Sequence, residues 1–532
     1  MDTVTQIKRP RLAYAQSLFV LFVLLYVACL LYHAAFGMVD DHYFLRTACI
    51  GKRLPFVIYP EIGRFFPLDG QELSILGKFT AKPFWYYFFN AVEMLIAAWL
   101  MIRIAGNSLR SRMSAWPYAL TAFVFLTPAF VNGWFRLYVP ERDEFMLLAL
   151  FFFCYLRFQK KPAYWLYIVG IIAAAGSLLY KETACVLVGG IGFFHLLLGY
   201  RQTRRKQKAF DASLIAVSAI WLMVYYFVIY LHRGAHLYGT DQGNSFLLAL
   251  LKTIGAYILV DPLIAVAGTG LILLRLWQIV IRRQPLDLMP DCILFSGYLF
   301  FASYLLLRQH ADYHMLPLYA FVPYLVVQNI PAARVGTAAK FAMAIVLVLV
   351  ANQVLYGIRE ISFWKTVPEN YQTTLSALDA QIKASPTRVN IFMAGSNRGS
   401  GGELFTSLAE FLEYKGDAPS TFDIRSEFPS NFPLLFTPDP TSPFTYLRSD
   451  NVSSIAKGDY VLLMPYDGVD RRAEFQNSAQ YELIYRSHSS YLPDMNLKRL
   501  LKLGVKSKTE QAHLSGDFTS DTNFYLYKKT AD

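Results

Sequence analysis

The sequence predicts a mainly α-helical, polytopic membrane bundle of about eleven transmembrane helices, followed by a C-terminal extracytoplasmic α/β domain. Of the 532 residues, 55% are hydrophobic and only 17% are charged, whereas about a quarter of the residues in a soluble domain are charged. Apolar runs recur up to residue 356, and the rest of the chain is polar. This composition excludes an ordinary soluble enzyme and a disordered chain.

Eleven apolar runs have lengths close to those of membrane helices. They cover residues 12–36, 84–102, 115–133, 144–158, 164–180, 184–199, 212–231, 261–281, 290–307, 317–330 and 340–356. The first run follows Lys8, Arg9 and Arg11 and has no small-residue cleavage site after it. This pattern favours a retained helix over a removed signal peptide.

The basic residues predict the orientation of the bundle. With the N-terminus in the cytoplasm, every inner segment is basic, in agreement with the positive-inside rule. These segments hold Lys8, Arg9, Arg11, Arg103, Arg110, Arg112, Arg157, Lys160, Lys161, Arg201, Arg204, Arg205, Lys206, Lys208, Arg282, Arg283, Arg334 and Lys340. The net charge of +12 is therefore scattered over short turns, which argues against a nucleic-acid-binding surface.

The odd helix number places residues 358–532 outside the cytoplasm and divides the chain into a membrane domain, 1–357, and a soluble domain, 358–532. Strand-like runs at 389–393, 460–464, 481–485 and 524–527, with a helix-like stretch at 403–414, predict a small α/β fold for the soluble domain. The five cysteines lie mostly in apolar runs, only Cys49 being clearly outside one. They support neither a disulfide framework nor a zinc knuckle.

Acidic residues concentrate on the outer side. Twelve of the seventeen Asp and Glu residues before residue 358 fall there by this topology. Because acids contribute little to membrane orientation, a carboxylate-rich outer surface indicates chemistry at that surface.

The first outer loop, residues 37–83, is much longer than a connection requires. It opens with the carboxylate pair Asp40-Asp41 and then His42, directly after the first helix. Carboxylates at a membrane edge are costly unless they are solvated, paired or used, and the alternative for this pair is a helix cap. Arg64 follows, between aromatic residues and Pro67, as expected for a segment in the membrane interface.

Two further outer segments carry charge between apolar runs. The second outer loop, 136–144, includes Glu141, Asp143 and Glu144. These acids suit catalysis, and the alternative for Asp143 and Glu144 is the dipole of a helix N-terminus. Lys181 and Glu182 stand between two apolar runs, where they form either an internal ion pair or an anion site.

A late outer loop, 308–317, contains Arg308, His310, Asp312 and His314. Its cationic and titratable side chains, Arg308, His310 and His314, favour a loop that faces an anion. The two histidines, four residues apart, could ligate a metal on a helix, but no third ligand is evident. The sequence therefore leaves metal dependence open, and no cofactor is predicted.

The arrangement of these segments resembles the GT-C glycosyltransferase superfamily. The resemblance covers about residues 1–357. It is carried by the carboxylates after the first helix, the long first outer loop, the acids of the second loop and the Leu178–Ala184 segment with its Lys-Glu pair. Asp40-Asp41 and Gly63–Leu68 are most similar to the bacterial O-antigen-modifying group, and other members include protein O-mannosyltransferases and the lipid A aminoarabinose transferase. Asp312–Pro317 is similar to an Arg-Tyr-Leu-Leu-Pro element of the family, with His314 where an arginine is usual.

This resemblance implies a sugar donor linked to a polyprenyl phosphate such as undecaprenyl phosphate. The acceptor is then a cell-surface polysaccharide, lipopolysaccharide or protein, and transfer inverts the anomeric centre. A carboxylate base must deprotonate the acceptor hydroxyl, and the candidates are Asp40, Asp41, Glu141 and Asp143. Fixed donors must stabilise the leaving phosphate. The predicted substrate-binding residues are His42, Arg64, Lys181, Glu182, Arg308, His310 and His314. The implied location is the bacterial inner membrane, with the C-terminal domain in the periplasm.

Rival functions are a polysaccharide transporter and an O-antigen polymerase or ligase. A secondary transporter would show internal repeats and polar residues in midplane helices, whereas the charge here lies at the outer edge. Polymerases and ligases generally place their large loop late and rely on arginine and histidine, whereas the long loop here is early and acidic.

Overall fold

The computed structural model describes residues 3–51, 53–107, 115–234, 245–329, 337–394, 401–426, 447–448, 455–465, 469–489, 492 and 522–531. Its helices are α1 (Thr3–Leu31), α2 (His42–Ile50), α3 (Gln71–Leu76), α4 (Pro83–Ala105), α5 (Trp116–Phe125), α6 (Pro128–Phe135), α7 (Pro140–Lys160), α8 (Tyr164–Leu178), α9 (Ala184–Gly199), α10 (Arg205–Val228), α11 (Phe246–Val260), α12 (Thr269–Val280), α13 (Leu288–Leu307), α14 (Leu316–Tyr319), α15 (Val322–Asn329), α16 (Thr337–Ala384), α17 (Gly401–Tyr414) and α18 (Val469–Gln476). The strands are β1 (Val57–Tyr59), β2 (Arg64–Phe66), β3 (Val389–Ala394), β4 (Phe422–Ser426), β5 (Leu447–Arg448), β6 (Tyr460–Leu463), β7 (Tyr481–Arg486) and β8 (Tyr525–Lys529).

The membrane domain is a bundle of apolar helices. Within the described ranges, six helical segments are long and apolar enough to cross a membrane, or seven if the bent pair α5–α6 is one span. They are 12–31, 83–105, 205–232, 263–280, 288–307 and 343–384, and α8, α9 and α11 are shorter apolar helices. The chain is a multi-pass membrane protein, but these lengths do not establish the predicted total of eleven spans.

Proline begins several helices of the bundle, because its fixed φ suits the first turn and its missing N–H is not needed there. Pro83, Pro128 and Pro140 are the first residues of α4, α6 and α7. Between α5 and α6 the chain bends by 64°, and Thr127 caps α6 by accepting a hydrogen bond of 3.3 Å from the N–H of Phe130. The predicted run 115–133 is thus a broken pair of helices.

Helix α11 was absent from the sequence prediction, which treated residues 232–260 as a connection. Its sequence is apolar apart from Lys252. The guanidinium of Arg308 lies 5.9 Å from the ring of Phe246, near the start of α11, and the hydroxyl of Tyr257, near its end, donates to the Gln309 carbonyl at 3.1 Å. Contacts from both parts of the helix therefore hold α11 against the segment that follows α13.

The turns of the bundle collect at two ends. At one, which we name the loop end, the first outer loop meets the later turns: the N–H of Leu68 donates to the Leu179 carbonyl and that of Gly234 to the Glu61 carbonyl. At the opposite end, the ammonium of Lys160 donates to the Asn107 side chain at 2.8 Å. The side chains of Gln159 and His195 lie 3.1 Å apart near this end, and Gly199 packs against Leu288. Which end faces the cytoplasm stays a prediction.

Helix α16 connects the bundle to the C-terminal domain. It passes through the predicted domain boundary at 357/358 and continues to Ala384. Beyond it, six strands form one sheet in the order β5-β4-β3-β6-β8-β7. Strands β3, β4, β5 and β6 pair in parallel and β8 pairs antiparallel with both β6 and β7, so the predicted α/β character is confirmed.

Candidate active site at the loop end

The turn between α1 and α2 holds the Asp40-Asp41 pair in a defined conformation. Asp40 has φ +64°, in the left-handed region, which costs a non-glycine residue roughly 1–2 kcal/mol. The N–H of Gly37 donates a 2.6 Å hydrogen bond to Oδ2 of Asp41. Asp41 occupies the N-cap position of α2, but within the described chain its side chain bonds Gly37 and no N–H of that helix. A helix-capping role therefore does not account for the pair.

Burial raises the pKa of both carboxyl groups, to about 6 for Asp40 and about 7 for Asp41. The guanidinium of Arg136 lowers both values, and the Gly37 N–H also lowers that of Asp41, while the charge of Asp40 raises it. Asp41 is only 5% exposed, whereas Asp40 is partly exposed. Asp40 is therefore the more accessible of the two carboxyl groups.

Arg136 and Tyr313 connect this turn to the rest of the loop end. The Arg136 guanidinium lies 5.3 Å from the ring centre of Tyr313 and 4.8 Å from that of Trp364, which are cation–π distances. Burial raises the pKa of the Tyr313 hydroxyl. Arg136 and Lys181 lower it and the charges of Glu141 and Asp40 raise it, so all four groups lie around this tyrosine.

Lys181 pairs with a residue far away in sequence. Its Nζ lies 2.8 Å from Oε1 of Glu141, which is fully buried. Burial opposes the charge of Lys181, but neighbouring carboxylates, Glu141 foremost, more than offset this and raise the pKa of the lysine. The sequence left open whether Lys181 forms an ion pair with Glu182 or an anion site. In the structure Lys181 is cationic and buried, and its ion-pair partner is Glu141.

His314 is a second residue near the Glu141 carboxylate, in addition to Lys181. Its Nε2 lies 3.9 Å from Oε1 of Glu141, and its ring stacks on Tyr304 at 4.6 Å. Burial, followed by the charges of Lys181, Arg64 and His310, holds the pKa of His314 well below its usual value. At neutral pH this imidazole is therefore uncharged. Its Nδ1 has no hydrogen-bond partner among the described residues.

Glu182 faces the hairpin of the first loop. Its Oε1 accepts a 2.8 Å hydrogen bond from the Phe65 N–H, and its Oε2 lies 3.9 Å from the Arg64 guanidinium. Arg64 also lies 5.5 Å from the ring centre of Phe66, and Lys181 lies 5.6 Å from the same ring on its own side. Strand β2, which carries Arg64, is thereby held beside Glu182 and Lys181.

A second polar cluster lies at the start of α7. The fully buried Arg142 guanidinium contacts Glu93 at 2.9 Å, Asp143 at 3.0 Å and Glu72 at 3.3 Å. It also donates to the Asn90 side chain and to the Leu137 carbonyl. Burial, followed by the charge of Asp143, raises the pKa of Glu72 to about 8. Asp143 is thus bound to Arg142, which makes it a member of a structural network.

The remaining predicted residues are spread more widely. His42 is fully buried, 3.9 Å from Glu410 of α17, so it faces the C-terminal domain and not the group around Tyr313. Arg308 ends α13 with φ +56° and contacts Phe246. His310 is exposed, but close enough to His314 to affect its pKa. The structure therefore gathers Glu141, Lys181, Arg64 and His314, while the side chain of His42 faces Glu410 instead.

Sequence reasoning did not assign Arg136, Tyr313, Arg142 or Glu72 to the site. Arg136 and Arg142 stood in a segment already noted for its density of charge, which was a usable signal. Tyr313 sits within the late loop but resembles any other tyrosine in a sequence rich in them. Among the described residues, no three His, Cys, Asp or Glu side chains are placed to hold a metal ion.

Comparisons with known proteins give similarity in structure only. No family model matches the chain, and no curated protein matches it in sequence. Among solved structures, ArnT from Cupriavidus metallidurans bound to undecaprenyl phosphate matches 88% of this chain and 96% of its own, with a TM-score of 0.48 and 11% identity. The arabinofuranosyltransferase AftD from Mycobacteria matches 98% of this chain with a TM-score of 0.36 and 14% identity, but this chain covers only 40% of AftD.

With TM-scores below 0.5, neither match assigns a family to this chain. At these identities, no residue's role passes from one chain to another. The chemistry of the loop end therefore has to be argued from its own side chains.

Proposed function

We propose that this protein is an integral membrane glycosyltransferase that moves a sugar from a polyprenyl-phosphate donor to a hydroxyl of an extracytoplasmic acceptor. The observation that supports this best is the group around Tyr313. The Arg136 guanidinium lies 5.3 Å from the Tyr313 ring, and the partly exposed carboxylate of Asp40 and the buried ammonium of Lys181 both affect the pKa of the Tyr313 hydroxyl. Such a site offers a base and an anion-binding surface at the edge of a membrane bundle.

Asp40 acts as the general base in this proposal, and Asp41 supports it. The acceptor O–H gives its proton to the Asp40 carboxylate while the oxygen attacks the anomeric carbon. The bond from that carbon to the phosphate oxygen breaks, and the lipid phosphate leaves with the electron pair. A single displacement of this kind inverts the anomeric centre.

The cations Lys181, Arg136 and Arg64 stabilise the leaving phosphate, because buried, preoriented charges interact strongly with charge that develops in the transition state. The neutral His314 adds a hydrogen-bonding group. Its Nδ1 and the Oε2 of Glu141 are buried atoms without a hydrogen-bond partner among the described residues. Buried polar atoms of this kind are uncommon in native proteins, and the hydroxyl groups of a bound sugar would satisfy them.

The lipid part of the donor fits a bundle whose outer surface is apolar. We place the reaction at the periplasmic surface of a bacterial inner membrane, with lipopolysaccharide, another cell-surface glycan or a protein as acceptor. No part of this proposal requires a metal ion.

Reconstituted protein and a radiolabelled polyprenyl-phosphate sugar test this function. We expect transfer of label to an acceptor glycan, and polyprenyl phosphate in lipid extracts of the purified protein. Arg157→Met, on the exposed side of α7 at the opposite end, is the matched control for loss of a cation and should transfer normally. Movement of intact glycan across the vesicle membrane, without cleavage of the donor phosphate bond, would instead identify a transporter.

A further inference from the structure

The C-terminal domain touches both sides of the turn that carries Asp40 and Asp41. Before the turn, the side-chain amide of Gln372 in α16 donates to the Phe36 carbonyl at 3.0 Å. After it, the hydroxyl of Tyr414 in α17 donates to the His42 carbonyl at 3.2 Å. The backbone is therefore hydrogen-bonded from outside the membrane domain directly before and directly after the turn.

A ring of the same domain lies between those two points. Phe411, which is 3% exposed, has its ring centre 6.4 Å from that of Phe36 and 6.4 Å from that of His42. Tyr371 of α16 packs edge-on against Phe411 at 5.7 Å. Rigid aromatic packing of this kind limits how far the two ends of the turn can move apart.

An ion pair fixes the helix that follows the turn. The Nε of Arg46 lies 3.1 Å from each carboxylate oxygen of Glu410, and the Tyr414 hydroxyl, whose single proton is shared between the His42 carbonyl and this carboxylate, lies 3.0 Å from Oε2 of Glu410. Glu410 is 5% exposed. Two-oxygen contact between a guanidinium and a carboxylate is directional as well as strong, so α2 is held in one orientation against α17.

We propose that the C-terminal domain is a positioning element for the carboxylate pair, with Glu410 and Tyr414 as its positioning residues. Asp40 adopts a left-handed conformation that is unfavourable for an aspartate, and contacts on both sides of it maintain that conformation. This inference rests on the proposed function, because it assigns the domain a part in the transfer reaction.

Tyr414→Phe is the sharpest test, since it keeps the ring and removes the hydroxyl. In the full-length reconstituted protein we expect kcat to fall by about tenfold, the effect of one lost hydrogen bond on a reacting geometry. The donor KM should change less than twofold, because the phosphate-facing cations lie elsewhere. Tyr485→Phe is the matched control: its hydroxyl bonds Thr373 of α16 at 2.9 Å in the same domain, away from the turn, and it should transfer normally.

The pH–rate profile separates positioning from general damage. The charged and titratable groups that face the pair from neighbouring elements are Tyr86, Tyr87, Arg136, Tyr138 and Tyr313. Loosening the turn admits water to the carboxyl groups, so the acid limb of the profile should move to lower pH in Tyr414→Phe. A smaller amount of active protein would lower the rate at every pH and leave the limb in place.

Charge reversal provides a second, independent test. Arg46→Glu and Glu410→Arg should each lower kcat, and the double variant should recover most of the loss because it restores the pair in the opposite sense. If Tyr414→Phe keeps the wild-type kcat and pH profile, and the double variant recovers nothing, the domain does not position the pair. If Asp40→Asn and Asp41→Asn in the same assay leave transfer unchanged, the proposed function fails instead.

Discussion

The Nζ of Lys181 lies 2.8 Å from Oε1 of Glu141, forty residues earlier in the chain, and not beside its sequence neighbour Glu182. This pair joins the turn after α8 to the first turn of α7. It also places a buried cation close enough to Tyr313 to lower the pKa of its hydroxyl. The loop end is therefore built from ion pairs between different segments of the chain.

The Lys181–Glu141 pair yields a prediction that separates stability from donor binding. Lys181→Met leaves the fully buried Glu141 carboxylate unpaired, so we expect a lower melting temperature and weaker donor binding. Glu141→Gln combined with Lys181→Met removes both charges, and buried pairs replaced in this way often keep their stability. The double variant should therefore melt near the wild-type temperature and still show a donor KM raised about tenfold or more, since one charge-assisted hydrogen bond is worth about 1.5–3 kcal/mol.

Thermal unfolding in detergent and donor titrations measure these two effects. A double variant with a normal donor KM would remove Lys181 from the donor site and leave it a structural residue.

Loss of Arg142 should destabilise the protein strongly. Arg142→Met leaves Glu72, Glu93 and Asp143 without their shared cation, and breaking a buried pair of this kind costs about 3–5 kcal/mol. Arg157→Met is the control on the same helix, because Arg157 is exposed and its guanidinium lies 5.5 Å from the Phe153 ring. Equal melting temperatures for the two variants would show that the network does not stabilise α7.

Cys49 allows the sidedness of the loop end to be measured. It is exposed in α2, whereas Cys154, Cys185 and Cys292 are buried. We expect a membrane-impermeant maleimide to label Cys49 from the periplasmic side of intact spheroplasts, and a reporter fused after Asp532 to be active on that side. Burial raises the pKa of the Cys49 thiol, so labelling should be faster at higher pH. The Cys49→Ser variant is the control for labelling elsewhere, and a reporter active in the cytoplasm would reverse the topology.

The transfer rate should depend on pH through the carboxyl pair. Burial raises the pKa of Asp40 to about 6, and only the ionised form can accept a proton. The rate should therefore fall as pH decreases through about 6 and level off above neutrality. Because Arg136 lowers that pKa, Arg136→Gln should move the acid limb to higher pH. A limb that stays in place or moves to lower pH would contradict the role of Arg136 beside Asp40.

The sequence allowed the charged segments of the candidate site to be predicted, but not which side chains contact each other. The positions of Asp40, Glu141 and Lys181 could be predicted because charges between apolar runs are costly and so stand out. Their partners could not, because the turn after α8 directs Lys181 toward α7 and Glu182 toward the Phe65 N–H of β2. The orientations of these side chains depend on how distant segments of the chain pack together, and a local sequence pattern contains no information about that packing.

Long-range packing also explains where else the structure differs from the sequence-based prediction. His42 was expected at the substrate because it follows Asp41, yet it faces Glu410, in a part of the chain far away in sequence. The strands of the C-terminal domain were predictable from short apolar runs, while its contact with α2 was not. Helix α11 was missed because a single lysine, Lys252, interrupts its apolar pattern.

Sugar transfer by Asp40→Asn tests the central claim most directly. Asparagine keeps the shape of the side chain but cannot accept the proton, and loss of a general base lowers rates by about 10²–10⁴-fold. We expect a loss in this range for Asp40→Asn with normal expression and melting temperature, a smaller loss for Asp41→Asn, and none for Asp287→Asn, an exposed carboxylate at the opposite end. Near-normal turnover of Asp40→Asn would contradict the account and shift the search for the base to Asp41 or Glu141.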